Sequence, residues 1–184
     1  MILFVGLGNP TPDNQNNRHN IGFKIIDAIN QKFSLSKQKP KFKGLLTMGN
    51  IEDEKVYAIK PLTFMNNSGT CIRELIEYFK IDSSDIIVFH DDLDIEFGKI
   101  KAKFGGSDAG HNGIASLDKF IGKDYSRVRI GIGKPEKIKT NDFVLGDFNE
   151  EENIKLDEIS KKIISQLNLL IEKKLDLFSS TINN

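Results

Sequence analysis

Apolar positions in this chain follow two rhythms, one of strands and one of helices. The continuous run Ile2 to Leu7, stopped by Gly8-Asn9-Pro10, predicts a buried strand. Pro10 and Pro12 forbid an immediate helix, so a polar loop reaches about Asn20. Ile21, Ile25, Ile26, Ile29 and Phe33 then recur at helical spacing and predict a helix to about Phe33. Leu45 to Asn50 and Lys55 to Lys60 predict strands joined by a Glu52-Asp53-Glu54 turn, followed by a loop from Pro61 to Asn67. Ser68 is placed to cap a helix carrying Ile72, Leu75, Ile76 and Phe79. Ile86 to Phe89 predicts a central strand ending at His90-Asp91-Asp92. Lys99 to Phe104 alternates strictly, giving a strand with three lysines on one face. A glycine-rich loop from Gly105 to Gly113 leads into a short helix, Ile114 to Ile121. Arg127 to Ile132 alternates again, with two arginines on one face. Beyond Phe143-Val144-Leu145-Gly146, a long amphipathic helix runs from about residue 151 to 177, with Ile159, Ile163, Leu167 and Leu170 in its apolar stripe. Strands and helices alternate in part, and no linker or repeat interrupts them. The expected fold is α/β: a single-domain three-layer sandwich over residues 1–184, an open mixed β-sheet with helices on both faces.

Composition narrows the class. Of 184 residues 39% are hydrophobic, enough for a core at this length, and one cysteine provides no disulfide framework. No apolar stretch approaches the roughly 20 residues that span a bilayer. Met1 to Leu7 lacks a basic flank and is broken by Gly6 and Gly8, so it does not read as a secretory leader. The expected setting is cytoplasmic. A formal net charge of zero argues at first against a polyanionic partner. Charge is unevenly placed, however. Met1–Asn50 holds 7 basic and 2 acidic residues, and Gly98–Lys139 holds 10 and 4. Ile51–Phe97 holds 4 against 11, and Thr140–Asn184 holds 5 against 9. Net values of +5, −7, +6 and −4 along the chain thus leave room for a basic face.

The candidate chemistry sits where strands should end. Three loops carry polar clusters: Asn9-Pro10 with Arg18-His19-Asn20, then His90-Asp91-Asp92, then Gly110-His111-Asn112-Gly113. A fourth adds Phe64-Met65-Asn66-Asn67. All three histidines lie in these segments beside a carboxamide or carboxylate. A carboxylate that fixes one imidazole nitrogen leaves the other free to deprotonate water. Carboxamides can place water, an oxyanion or a substrate amide without adding charge. Spacing alone does not say which histidine meets which aspartate. Gly6-Leu7-Gly8 opens like a dinucleotide fingerprint, but Thr11 stands where the third glycine belongs and the prolines block the helix. No H-x-x-x-H or H-E-x-x-H spacing supports a zinc site, and no G-x-S-x-G elbow supports a serine esterase. A metal-dependent hydrolase and a non-catalytic RNA-binding module stay open as alternatives at this point.

Taken together, several strings resemble the bacterial peptidyl-tRNA hydrolase family. They are Val5-Gly6-Leu7-Gly8-Asn9-Pro10, Arg18-His19-Asn20-Ile21-Gly22, Pro61-Leu62-Thr63-Phe64-Met65-Asn66 and His90-Asp91-Asp92-Leu93-Asp94. Gly110-His111-Asn112-Gly113, Arg127-Val128-Arg129-Ile130-Gly131-Ile132-Gly133 and Phe143-Val144-Leu145-Gly146 follow in order, so the match covers about residues 1–148, and the rest looks like a closing helix.

The resemblance implies an enzyme that hydrolyses the ester between a peptide and the 3′-terminal ribose of tRNA, recycling tRNA from abortive translation. It implies no metal and no organic cofactor, peptidyl-tRNA as nucleic-acid substrate, no membrane, no obligate protein partner and a monomer. Residue by residue, it implies that His19 is the general base, that Asp91 orients it, and that Asn9 lies near the ester and the attacking water. It further implies that Asn66, Asn112, Phe64, Met65 and His111 bind substrate and that Lys103 and Arg129 hold the tRNA 5′ phosphate. Two departures stand out: Asp108 and Ala109 occupy a stretch that the family makes richer in glycine, and Asn67 replaces an apolar residue.

Overall fold

The computed structural model describes all 184 residues. In chain order the elements are β1 (Ile2–Gly6), α1 (Ile21–Lys32), β2 (Lys39–Lys41), β3 (Gly44–Ile51), β4 (Glu54–Pro61), α2 (Ser68–Phe79), β5 (Ile86–Asp92), β6 (Ile100–Phe104), α3 (Asn112–Ile121) and β7 (Ser126–Gly131). Four helical segments close the chain: α4 (Thr140–Val144), α5 (Glu150–Ser165), α6 (Leu167–Ile171) and α7 (Leu175–Ile182). The strands form one sheet in the order β2-β3-β4-β1-β5-β7-β6. β4, β1, β5 and β7 run parallel, while β2–β3, β3–β4 and β6–β7 pair antiparallel.

The core lies on both sides of this sheet. On one face Phe4, Ile25, Ile26, Phe89, Ile159, Ile163 and Phe178 pack beneath α1, α5, α6 and α7. On the other, Leu3, Val5, Ile72, Leu75, Ile114 and Leu117 pack beneath α2 and α3. The three-layer arrangement expected from the alternating pattern is therefore what the chain adopts. No helix is long and apolar enough to cross a membrane.

Four local expectations need correction. β5 does not stop at Phe89; it continues through His90, Asp91 and Asp92, because β7 pairs with all three residues. Ser68 is not the cap of α2: it is the first helical residue, and its hydroxyl donates to the Met65 carbonyl at 2.8 Å. α3 begins at Asn112 rather than Ile114, since the His111 ring caps it. The closing helix is three pieces, broken at Gln166 and at Lys173, whose φ is +61°. A straight helix of that length would span about 40 Å, against roughly 26 Å for an eight-residue strand, and could not keep its apolar stripe on the sheet.

The two edges of the sheet are finished differently. β2 is a short, exposed Lys39-Pro40-Lys41 segment, where the proline and the charges discourage further pairing. At the other edge the Ser179 hydroxyl accepts from the Ala102 amide at 2.8 Å. The Asn183 carboxamide takes the Ile100 amide at 3.1 Å and also donates to the Ile100 carbonyl. α7 thus occupies the positions an eighth strand would need.

Candidate active site

Parallel strands bring their carboxyl ends to one rim, and loops that depart to opposite faces leave a crevice there. β1 is followed by α1 on one face and β4 by α2 on the other. Close backbone packing sets the geometry: a Cβ on Gly6 would lie 2.3 Å from the Gly22 carbonyl oxygen, and one on Gly22 would lie 2.4 Å from the Leu7 nitrogen. These two glycines let the first turn of α1 rest directly on the end of β1, and the residues just before that turn include His19.

His19 is 8% exposed, and its Nδ1 lies 3.0 and 2.9 Å from the two carboxylate oxygens of Asp91. An ionised carboxylate only accepts, so Nδ1 carries the proton and Nε2 is left bare. Nε2 has no partner in the protein, and His19 borders two pockets. One, of about 500 Å³, is lined by His90, Asp91, Asp92, Asp94 and His111 among others. The second, of about 630 Å³, is lined by Asn9, Phe64, Met65, Asn66, Asn112, Asn141, Val144 and Leu145.

Asp91 has a second imidazole partner. His111 Nε2 donates to its Oδ1 at 2.8 Å, while His111 Nδ1 accepts from the Gly113 and Ile114 amides at 3.1 and 3.3 Å. The opening amides of α3 therefore fix the His111 tautomer and aim its N–H at Asp91. Burial alone would raise the Asp91 pKa, but the facing His111 and His19 rings and their hydrogen bonds hold it well below the usual carboxylate range. The side chain of His111, expected to bind substrate, is turned to Asp91 and is largely buried.

His90 is the third ring in this patch. Its Nδ1 donates to the Asp91 backbone carbonyl at 2.8 Å, and its Nε2 is buried without a partner. Burial, reinforced by His111, pushes its pKa down to about 3 against the pull of Asp91 and Asp92.

Asn9 is held on both sides. Its amide donates to Asn20 Oδ1 and its carbonyl accepts from Asn20 Nδ2, both at 2.8 Å. Its own Oδ1 accepts from the Met65 amide at 2.9 Å, which leaves Nδ2 free toward the pocket. Asn20 stood in the Arg-His-Asn string without a role of its own; the paired backbone of Asn9 is what it serves. Met65 is buried against Gly113, whereas Phe64 is 61% exposed at the pocket rim. Asn66 and Asn112 are both exposed.

The basic strands β6 and β7 flank a third pocket of about 390 Å³, lined by His90, Asp92, Lys103, Asp108, Arg127 and Arg129 among others. Lys103 and Arg129 do meet there, but their partners differ. Arg127, only 3% exposed, is paired with Asp118 at 2.9 Å, and Arg129 with Asp92 at 2.8 Å. Lys103 is exposed and makes no ion pair. Asp108 turns one carboxylate oxygen to the Gly110 amide at 2.8 Å and lines both neighbouring pockets. Asn67 lies at the start of α2, exposed and away from these pockets.

His19, Asp91 and His111 present ligand-type atoms within 4.8 Å of one another, a grouping a metal ion could use. In this structure His19 Nδ1 and His111 Nε2 both bond the Asp91 carboxylate.

Comparison with known proteins bears on this geometry. A family profile described as "Peptidyl-tRNA hydrolase" matches residues 3–184. A peptidyl-tRNA hydrolase of Pelagibacter ubique (strain HTCC1062) is 77% identical over 185 residues, covering 100% of both chains. One of Bartonella quintana (strain Toulouse) is 45% identical, covering 100% of this chain and 95% of that one. A crystal structure of peptidyl-tRNA hydrolase from Acinetobacter baumannii superposes with a TM-score of 0.92 at 34% identity, covering 100% of this chain and 94% of that chain.

Proposed function

The chain belongs to the peptidyl-tRNA hydrolase family, and from that premise we propose how its residues divide the work of cleaving the ester between peptide and tRNA. The family acts without a metal ion, and the nucleophile in this reading is water. His19 Nε2 takes a proton from water as its oxygen bonds the ester carbonyl carbon. The bond from that carbon to the ribose oxygen then breaks, and the proton held by His19 goes to the departing hydroxyl. Positioned general-base catalysis of this kind contributes about 10²–10⁴ in rate. Asp91 keeps the proton on Nδ1 and steadies the imidazolium that forms; His111 keeps Asp91 ionised and in place. Asn9 Nδ2 donates to the developing oxyanion, an effect on the order of 10²–10³ for one donor.

Asn66, Asn112, Phe64 and Met65 line the acyl side of the ester. Lys103, with Arg129 alongside, takes the 5′ phosphate of the tRNA. The observation that carries this reading is the His19–Asp91 pair, with Nδ1 fixed, Nε2 without a protein partner and the residue bordering both pockets. The enzyme works as a monomer in the cytoplasm, where its substrate is made. The test is hydrolysis of N-acetyl-aminoacyl-tRNA and of the free-amine aminoacyl-tRNA, with and without a chelator. Cleavage of the acylated form that survives chelation and disappears in His19→Ala is the expected result. Wild-type rates in His19→Ala would end the proposal.

A further inference from the structure

Only four residues border both pockets beside the base: His19, Asn112, Asn141 and Val144. Three of them belong to strings that the sequence singled out, and Asn141 does not. It sits on α4, and its carboxamide makes no hydrogen bond within the protein although it is exposed at the junction of the two pockets.

The position of Asn141 is set from the backbone next to the base. The Arg18 amide donates to the Gly146 carbonyl at 3.0 Å, and Arg18 Nη1 donates to the Phe143 carbonyl at 3.4 Å. The Arg18 guanidinium lies 4.3 Å from the Phe143 ring centroid and is paired with Glu152 at 3.3 Å. Any side chain at Gly146 would meet Arg18 Nη1 at 2.9 Å, so the Phe143-Val144-Leu145-Gly146 segment and the residue preceding His19 are fitted to each other. Val144, three residues on and on the same face of the short helix, lines both pockets beside Asn141.

The chemistry of the second pocket says what Asn141 meets. Its lining holds four carboxamides (Asn9, Asn66, Asn112 and Asn141), an apolar wall of Phe64, Met65, Val144 and Leu145, and no carboxylate. A protonated α-amino group entering it would leave water without a counter-ion. An acylated α-nitrogen is a neutral amide, whose N–H and C=O match free carboxamides. We infer that Asn141 is a specificity-determining residue of this enzyme, hydrogen-bonding the backbone amide of the acyl-aminoacyl group and so favouring acylated over free-amine substrates. The inference rests on the reading of His19 as the base in this pocket.

Two variants test it, each assayed on N-acetyl-aminoacyl-tRNA and on the free-amine form. Loss of one such hydrogen bond in Asn141→Ala should raise KM for the acylated substrate by roughly 2- to 12-fold. Its kcat should stay within about twofold and its thermal midpoint unchanged, since the side chain is exposed and unpaired. Asn141→Asp supplies the missing counter-ion, and the acylated-to-free ratio of kcat/KM should fall about tenfold. Asp142→Ala, at a neighbour that lines neither pocket, should match the parent. A ratio and a KM within twofold of the parent in both Asn141 variants would overturn the inference. Retained activity in His19→Ala would instead show that the underlying reading had failed.

Discussion

His19 and His90 are neighbours in one buried patch, and both bond Asp91, yet only one is equipped to move a proton. His19 is bound to the carboxylate, borders two open pockets and keeps Nε2 without a protein partner. His90 is bound to the carbonyl of the same residue, and its Nε2 ends in protein with no partner. A carboxylate stabilises an imidazolium far better than a carbonyl does, and burial without that support drives His90 to remain neutral. Proximity to an aspartate is therefore a poor guide to a base; which oxygen it contacts, and where the second nitrogen points, decide the matter.

The largest effect that could break this comparison is exchange of the two rings' importance. His19→Ala should lower kcat by about 10²–10⁴. His90→Asn keeps a donor near the place of Nδ1, discards the unpartnered nitrogen and should hydrolyse the acylated substrate within about threefold of the parent. Equal losses in both variants would erase the distinction. Next comes the carboxylate. Asp91→Asn places an amide N–H against one of the two imidazole donors, and kcat should fall by roughly 10² or more. Combined with His19→Ala it should add little, because the two residues act as a unit.

A smaller effect concerns stability. His90 has a folded-state pKa of about 3, below its ordinary 6.5, so the unfolded chain binds a proton there that the folded chain does not. Stability should therefore fall as pH drops below about 6.5, the ordinary histidine value, because protonation then favours the unfolded chain. Asp91, also held low, adds a loss in the same direction once pH passes below its ordinary 3.8. Urea unfolding at pH 7 and pH 5 should show the slope, and His90→Asn should flatten it. The smallest effect belongs to the pocket on the far side of His90. Lys103→Ala should raise KM several-fold and reduce the salt dependence of tRNA binding by about one unit, with kcat unchanged. A fall in kcat there would mean that the basic pocket takes part in the chemistry.

The His19–Asp91 pair proposed to do the chemistry was legible because strand ends and residue types pointed to the same loops, and the family strings then ordered them. The partner of His111 was not, since nothing in Gly-His-Asn-Gly says that the ring turns back to cap α3 and reach Asp91. Asn141 was silent for a similar reason: it stands two residues before the Phe143-Val144-Leu145-Gly146 string, on a five-residue helix too short to show periodicity. Alternation along β6 and β7 correctly put the basic side chains on one face, but it could not show that Asp92 and Asp118 neutralise Arg129 and Arg127. The apolar stripe beyond residue 150 revealed helix without revealing its breaks, because Leu167, Leu170 and Phe178 keep helical spacing on each piece while the pieces change direction. β2 escaped notice altogether, as Lys39-Pro40-Lys41 has no apolar face to read.

The covering of β6 by Ser179 and Asn183 has a consequence for the order in which the molecule is made. All seven strands precede α7 in the chain, so during synthesis the sheet can assemble while the outer side of β6 is still bare. In that interval the Ile100 amide and carbonyl and the Ala102 amide are open to any extended segment nearby, including the same strand of another nascent copy. Arrival of α7 ends the exposure by supplying the two side chains that occupy those groups.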